Sequence, residues 1–165
     1  MTSPRSINRD LTSDAWFANV EHVAETLDIG PGVSVFDVGC QAGEFLYPLS
    51  ENGFTVGGID ASAELIERAR ELMPAGRWSV GEPSTLDPGE PWDVVVSSAF
   101  EQFRDVDYAR GVIARMAAKG SHAIALLELT ERYDRGWMLR ALNEVGAQAI
   151  VIEEGGDHYR VFARL

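Results

Sequence analysis

Apolar positions along this chain switch repeatedly between a three-to-four-residue spacing and short consecutive runs, with no repeat or low-complexity tract between them. That alternation predicts an α/β layering. Trp16, Phe17, Val20, Val23, Ala24 and Leu27 share one face at helical spacing, with Ser13 or Asp14 as N-cap. Gly30, Pro31 and Gly32 break this helix, and residues 33–38 form a β-branched, buried strand. A glycine-containing loop covers 39–43. Phe45, Leu46 and Leu49 then open a helix that Pro48 deprives of a backbone bond and kinks, and Gly53 ends it.

The same reading gives a second strand at 54–59 and a Ser62-capped helix carrying Leu65, Ile66, Ala69 and Leu72, which Pro74 terminates. Residues 77–81 make a third strand, 82–91 a proline-rich turn region and 92–98 a strongly β-branched fourth strand. A helix bearing Val106, Ala109, Ile113 and Met116 closes at Lys119 and Gly120 and leads to a fifth strand at 121–129. Trp137, Met138, Leu142 and Val145 mark the last helix, before strands at 148–153 and 159–165. Only five residues join those two strands, which permits a hairpin and not a parallel crossover. The expected architecture is a doubly wound, mostly parallel seven-stranded sheet with helices on both faces and a C-terminal antiparallel hairpin. Ligands are expected at the carboxyl ends of its strands.

Composition narrows the choice of partner. The chain has 165 residues, and 26 acidic against 14 basic side chains give a formal net charge of −12, which repels phosphate backbones and anionic lipid surfaces. Nucleic acid and membrane are therefore not expected partners. One cysteine, Cys40, supports neither an internal disulfide nor a cysteine metal cluster. The first residues are polar, no stretch approaches the roughly 18 apolar residues of a membrane span, and the expected compartment is the cytoplasm. The length suits one domain over residues 1–165, with 1–12 as a flexible tail.

The chemistry is concentrated in Asp37-Val38-Gly39-Cys40-Gln41-Ala42-Gly43, between the first strand and the next helix. Glycine suits a sharp turn through positive φ where backbone must approach a ligand. A dinucleotide-binding loop counted from Gly39 would need glycines at 41 and 44, which are Gln41 and Glu44; Glu44 would also set a carboxylate beside a pyrophosphate. About twenty residues on, Asp60 ends the second strand, where a carboxylate can accept both ribose hydroxyls.

This ordered set resembles the class I S-adenosylmethionine-dependent methyltransferases, whose first motif is often written D-V-G-C-G-x-G; the resemblance spans residues 14–165. It implies a Rossmann-like methyltransferase fold and S-adenosylmethionine as cofactor. Asp37, Gly39, Cys40, Gln41 and Gly43 would then lie at the methionine end, and Asp60, with Ala61 and Leu65 of the following pattern, at the ribose. Gly81-Glu82-Pro83 stands where the family has Gly-Asp-Ala, so Glu82 and Pro83 would meet the adenine, and Ser97 and Ser98 close the matching fourth strand. Gln41 replaces the family's middle glycine, and a left-handed backbone there would cost about 1–2 kcal/mol.

Methyl transfer from a sulfonium is an in-line displacement in which positioning and exclusion of water supply much of the acceleration, and a base is optional. Residues 99–103 read Ala-Phe-Glu-Gln-Phe where the family frequently ends in Glu-His. Glu101, Glu128 and Tyr133 are the expected catalytic or acceptor-side residues, with solvated surface acids as the alternative for both glutamates. His122 and His158 are expected at ends remote from the site, and His22 on a helix surface, or within reach of the cleft where the first helix covers it. No His or Cys cluster supports a metal. Only residues 130–135 are available as a lid, so either the acceptor is large or carried by another macromolecule, or a second subunit, in a homodimer or with another chain, closes the site. Arg104, Arg132 and Arg135 are expected exposed at its mouth, where they would attract an anionic acceptor, with plain solvated arginines as the alternative. Trp16, Phe17, Phe100 and Phe103 offer an acceptor wall or a subunit interface, with core packing for at least half. The resulting expectation is a methyltransferase acting on a small-molecule acceptor through O, N or C. The alternatives are a non-catalytic methyltransferase-like subunit, or a cofactor-binding protein turned to other chemistry.

Overall fold

The computed structural model describes residues 13–87 and 90–165, so the expected tail at 1–12 lies outside the described residues. Seven strands form one sheet: β1 (Ser34–Val38), β2 (Thr55–Asp60), β3 (Arg77–Val80), β4 (Trp92–Ser97), β5 (Gly120–Leu129), β6 (Ala149–Gly155) and β7 (His158–Arg164), in the order β3-β2-β1-β4-β5-β7-β6. The helices are α1 (Asp14–Leu27), α2 (Tyr47–Glu51), α3 (Ala63–Leu72), α4 (Val106–Lys119) and α5 (Arg135–Glu144). β1 to β5 pair in parallel, and β7 is antiparallel to both β5 and β6. The hairpin is thus present, but its second strand inserts against β5 and leaves β6 at the edge. Because β7 alone is reversed, β6 runs with the parallel strands and its carboxyl end lies on the same side as theirs.

Local chemistry sets the boundaries. The Ser13, Ser62, Asp105 and Asp134 side chains each accept a backbone N–H in the first turn of α1, α3, α4 and α5. Pro48 lies in the first turn of α2, where its missing N–H has no intrahelical partner to lose, so it starts the helix and does not kink it.

Val94, Val95 and Val96 are fully buried, Val94 and Val96 on the side of α1, α2 and α3 and Val95 on the side of α4 and α5. A strand covered on both faces reads as a continuous apolar run. Phe100 and Phe103 belong to the core beneath α4 and α5, which settles two of the four aromatics left open by sequence, while Trp16 and Phe17 stay half-buried.

Candidate functional site

The loop after β1 turns through three left-handed residues, Gly39 at φ 76°, Gln41 at φ 54° and Gly43 at φ 81°. Positive φ favours glycine at both ends. A Cβ on Gly39 would run into the Gln102 side-chain amide, and one on Gly43 would stand 2.5 Å from Met73 Cε and 3.1 Å from the Trp78 ring, so a side chain at either position would displace a neighbour. Gln41 adopts the strained conformation without being glycine and is held there by Asp60, whose Oδ2 accepts the Gln41 N–H at 2.9 Å. The other Asp60 oxygen accepts the Ser62 N–H at 2.9 Å, so one buried carboxylate ties the β1 loop to the start of α3. The Gly39 and Cys40 N–H groups donate to the Ile59 carbonyl at 2.8 and 3.1 Å, and Gly43 N–H donates to the Cys40 carbonyl at 2.9 Å.

Asp37 is fully buried, and its two oxygens accept the backbone N–H and the hydroxyl of Ser98 at 3.1 and 2.6 Å. Burial pushes its carboxyl up to about 7, against the lowering effect of both Ser98 bonds. Ser97 Oγ donates to the Val38 carbonyl at 2.9 Å. The ends of β1 and β4 are therefore stitched together by Asp37, Ser97 and Ser98. Cys40 directs its side chain into the core beside Gly58, and burial pushes its thiol up. Leu65 is buried on α3.

Two cavities open at the carboxyl ends of the parallel strands. The first, of about 300 Å³, is lined by Gly39, Asp60, Ala61, Glu82 and Pro83, with Phe103, Arg104 and Tyr108 on its other side. Its wall includes Gln102, whose side-chain amide donates to the Gly39 carbonyl at 3.3 Å. The Tyr108 hydroxyl donates to Glu82 Oε2 at 3.4 Å. The second, of about 230 Å³, is bounded by Trp16 and Asn19 of α1, Phe45, Ser98, Leu127 and Glu128, and by the β6–β7 hairpin.

The three expected acceptor-side residues part company. Glu128 lines the second cavity with its backbone at φ 58°. Glu101 accepts the Thr130 N–H at 2.7 Å and lies 3.4 Å from Arg132 Nε, which braces the connection after β5. Tyr133 is 1% exposed in the aromatic core with Phe100 and Trp137, and its hydroxyl has no hydrogen-bond partner among the described residues. Of the arginines expected at the mouth, Arg104 lines the first cavity, Arg132 pairs with Glu101, and Arg135 pairs with Glu131 and Glu154.

His158 was expected far from the site, but it lines the second cavity. The reason is the direction of β6, which carries the hairpin turn to the carboxyl ends of the other strands. His22 reaches from α1 to Glu153 at 3.0 Å, and Arg160 binds the same carboxylate at 2.6 Å. Burial pushes the Glu153 carboxyl up, but these partners outweigh it and leave it below the ordinary range. Sequence reasoning missed Asn19, Phe45, Glu153 and Arg160 as cavity residues, because only the order of β7 and β6 brings α1 and the hairpin together. A parallel β6 after a helical crossover was the available signal.

A mostly parallel 3-2-1-4-5-7-6 sheet with a glycine loop after β1 and an acid after β2 defines a class of Rossmann-like domain, and the comparisons place the chain within it. The model of the family described as "Methyltransferase domain" matches residues 35–120, just over half of the chain, which therefore belongs to that family. Among relatives, the ubiquinone biosynthesis O-methyltransferase of Bradyrhizobium sp. (strain ORS 278) is 29% identical over 143 residues, covering 84% of this chain and 54% of the relative. That of Paramagnetospirillum magneticum is 32% identical over 141 residues, covering 81% and 54%. The chain thus spans about half the length of the curated relatives it matches. Among solved structures, the amino pentose methyltransferase CalS10 of Micromonospora echinaspora superposes with a TM-score of 0.80 at 16% identity, over 90% of this chain and 91% of that one. The magnesium protoporphyrin IX methyltransferase of Synechocystis PCC 6803 gives 0.71 at 19%, over 90% and 77%. At these identities the structural likeness is one of fold. No helix among the described residues is long and apolar enough to cross a membrane.

Proposed function

We propose that this chain is a single S-adenosylmethionine-binding domain that transfers a methyl group to a small-molecule acceptor. The observation that carries the reading is the chemistry of the first cavity. A phosphate cradle needs free backbone N–H groups at a loop or helix start. Here the Gly39, Cys40, Gln41 and Gly43 N–H groups are all engaged within the protein, and the cavity carries the Asp60 and Glu82 carboxylates. That wall suits a nucleoside with free hydroxyls and no phosphate.

In this reading Asp60 keeps one lone pair on each oxygen for the ribose hydroxyls, Glu82 meets the adenine amino group, and the loop from Gly39 to Gly43 receives the methionine end. When bound, the cofactor supplies an electrophilic methyl group on a sulfonium. The chain's own part is to hold that end beside Ser98 and to shape the second cavity for the acceptor. Glu101 is committed to the Thr130 loop and Tyr133 is enclosed in the core, which leaves Glu128 as the candidate side chain that touches the acceptor.

Calorimetric titration with S-adenosylmethionine and S-adenosylhomocysteine, with NAD as control, tests the assignment. Binding of the first two, absent with NAD and lost in Asp60→Ala with an unchanged circular dichroism spectrum, is the expected result. Failure of the folded wild-type protein to bind either would overturn it.

A further inference from the structure

The second cavity has a hydrogen-bonding polarity that can be read atom by atom. While Asp37 is ionised, Ser98 donates its hydroxyl proton to Asp37 Oδ2 at 2.6 Å, which leaves oxygen lone pairs for a ligand. Leu127 and Glu128 are consecutive, yet both line this cavity. Neighbours on a regular strand point to opposite faces. Here the β5–β7 register shifts between Leu126 and Leu129, and Glu128 sits at φ 58° inside that irregularity, which turns its side chain to the same side as Leu127. Of the other titratable side chains that line it, Glu153, Glu154 and Arg160 are matched, and His158 stands exposed on the hairpin. Glu153 is held by His22 and Arg160, Arg160 also donates to Asn19 Oδ1 at 3.1 Å, and Glu154 is paired with Arg135. Glu128 has no hydrogen-bond or ion-pair partner among the described residues. Its exposed carboxylate is an unpaired negative charge at a cavity whose remaining walls include the rings of Trp16 and Phe45. Lone pairs, one free carboxylate and aromatic faces together favour a cation that donates hydrogen bonds.

We infer that the acceptor methylated at this site carries an amine, bound as its ammonium against Glu128 and Ser98, and that transfer is to nitrogen. The inference rests on the methyltransferase reading above and gives it a substrate class. The ammonium passes one proton to the Glu128 carboxylate, which later releases it to solvent. The nitrogen lone pair so freed forms the N–C bond as the methyl–sulfur bond breaks. The electron pair of that bond leaves with sulfur, giving a methylammonium product and the neutral thioether S-adenosylhomocysteine.

The test uses benzylamine, phenethylamine and tyramine as probes against benzyl alcohol and catechol as hydroxyl counterparts. Binding to the full chain saturated with S-adenosylhomocysteine is measured by ligand-observed NMR, and methyl transfer is followed from labelled S-adenosylmethionine. The expected result is binding and N-methylation of at least one amine, with the hydroxyl compounds about tenfold weaker or more. Glu128→Gln should remove that preference by a similar factor while S-adenosylhomocysteine affinity is unchanged. Glu131→Gln, whose side chain is exposed and pairs with Arg135 outside the cavity, should behave as wild type. Failure of every amine to bind, equal or better use of catechol, or an amine preference that survives in Glu128→Gln overturns the inference and leaves the cofactor reading standing. Loss of S-adenosylhomocysteine affinity in Glu128→Gln would assign the carboxylate to the cofactor's own ammonium and also overturn it. Absence of cofactor binding in wild type overturns both.

Discussion

Replacing Asp37 with Asn should make the protein's stability less sensitive to pH, by an amount set by burial. The carboxyl lies at 0% exposure, and its pKa stands near 7 in the folded chain against an ordinary 3.8. Below about pH 4 both folded and unfolded chains carry it protonated. Between about pH 4 and pH 7 the unfolded chain has lost this proton while the folded chain retains it, so raising the pH favours unfolding. At about 1.4 kcal/mol per pH unit the loss totals about 4 kcal/mol and is complete above pH 7. That is a large part of the 5–15 kcal/mol typical of a folded domain. The neutral Asn side chain can still accept from Ser98 through its carbonyl oxygen, and any cost of its unmatched amide hydrogens is the same at every pH. Urea unfolding followed by tryptophan fluorescence, with Trp78 and Trp92 buried as reporters, gives the free energy of both proteins across this range. The wild type should lose ground to Asp37→Asn by several kcal/mol between about pH 4 and pH 7 and then level off. A difference that is flat, or that grows in favour of the wild type as pH rises, would refute the argument. It would mean that the Ser98 hydrogen bonds keep Asp37 ionised throughout.

Other substitutions test separate parts of the site. Tyr133→Phe removes a buried hydroxyl with no partner, so stability should hold or rise by up to about 1 kcal/mol with kcat unchanged; a large fall in kcat would return Tyr133 to the chemistry. Gln41→Gly relieves a left-handed residue at φ 54° and should raise Tm by about 2–4 °C in a thermal scan, for a gain of about 1 kcal/mol. Gly43→Ala meets Met73 Cε at 2.5 Å with φ at 81° and should cost about 1–3 kcal/mol in urea unfolding. An unaltered transition midpoint would show that the loop relaxes freely.

Much of the geometry around the first cavity was legible because its signals are local. The left-handed turn at Gly39 and Gly43, the acid ending β2 and the Ser62 cap depend on a few consecutive residues whose backbone needs are specific to residue type. Asp37 and Cys40 show the limit of that legibility. Both sit in the motif, but Asp37 is engaged by Ser98 sixty-one positions away and Cys40 faces the core, and neither pairing has a local signature. The surroundings of the second cavity were harder to read. Glu101, Glu128 and Tyr133 were equivalent as polar residues after the fourth and fifth strands, and the structure assigns them to a loop brace, a cavity wall and a core.

By itself, then, the sequence determined the number and kind of elements, the α/β layering, the glycine loop and the acid at the end of β2, since periodicity, caps and φ preference act within a turn or a strand. Only the tertiary structure decided that β7 inserts between β5 and β6, that His158 and Glu153 meet Trp16 at the second cavity, and that an irregularity in β5 turns Glu128 into it. These outcomes rest on strand order and on contacts between separate elements, up to 131 positions apart between His22 and Glu153. Such contacts form only when two apolar faces of the sheet are buried together, and no short stretch of the chain encodes them.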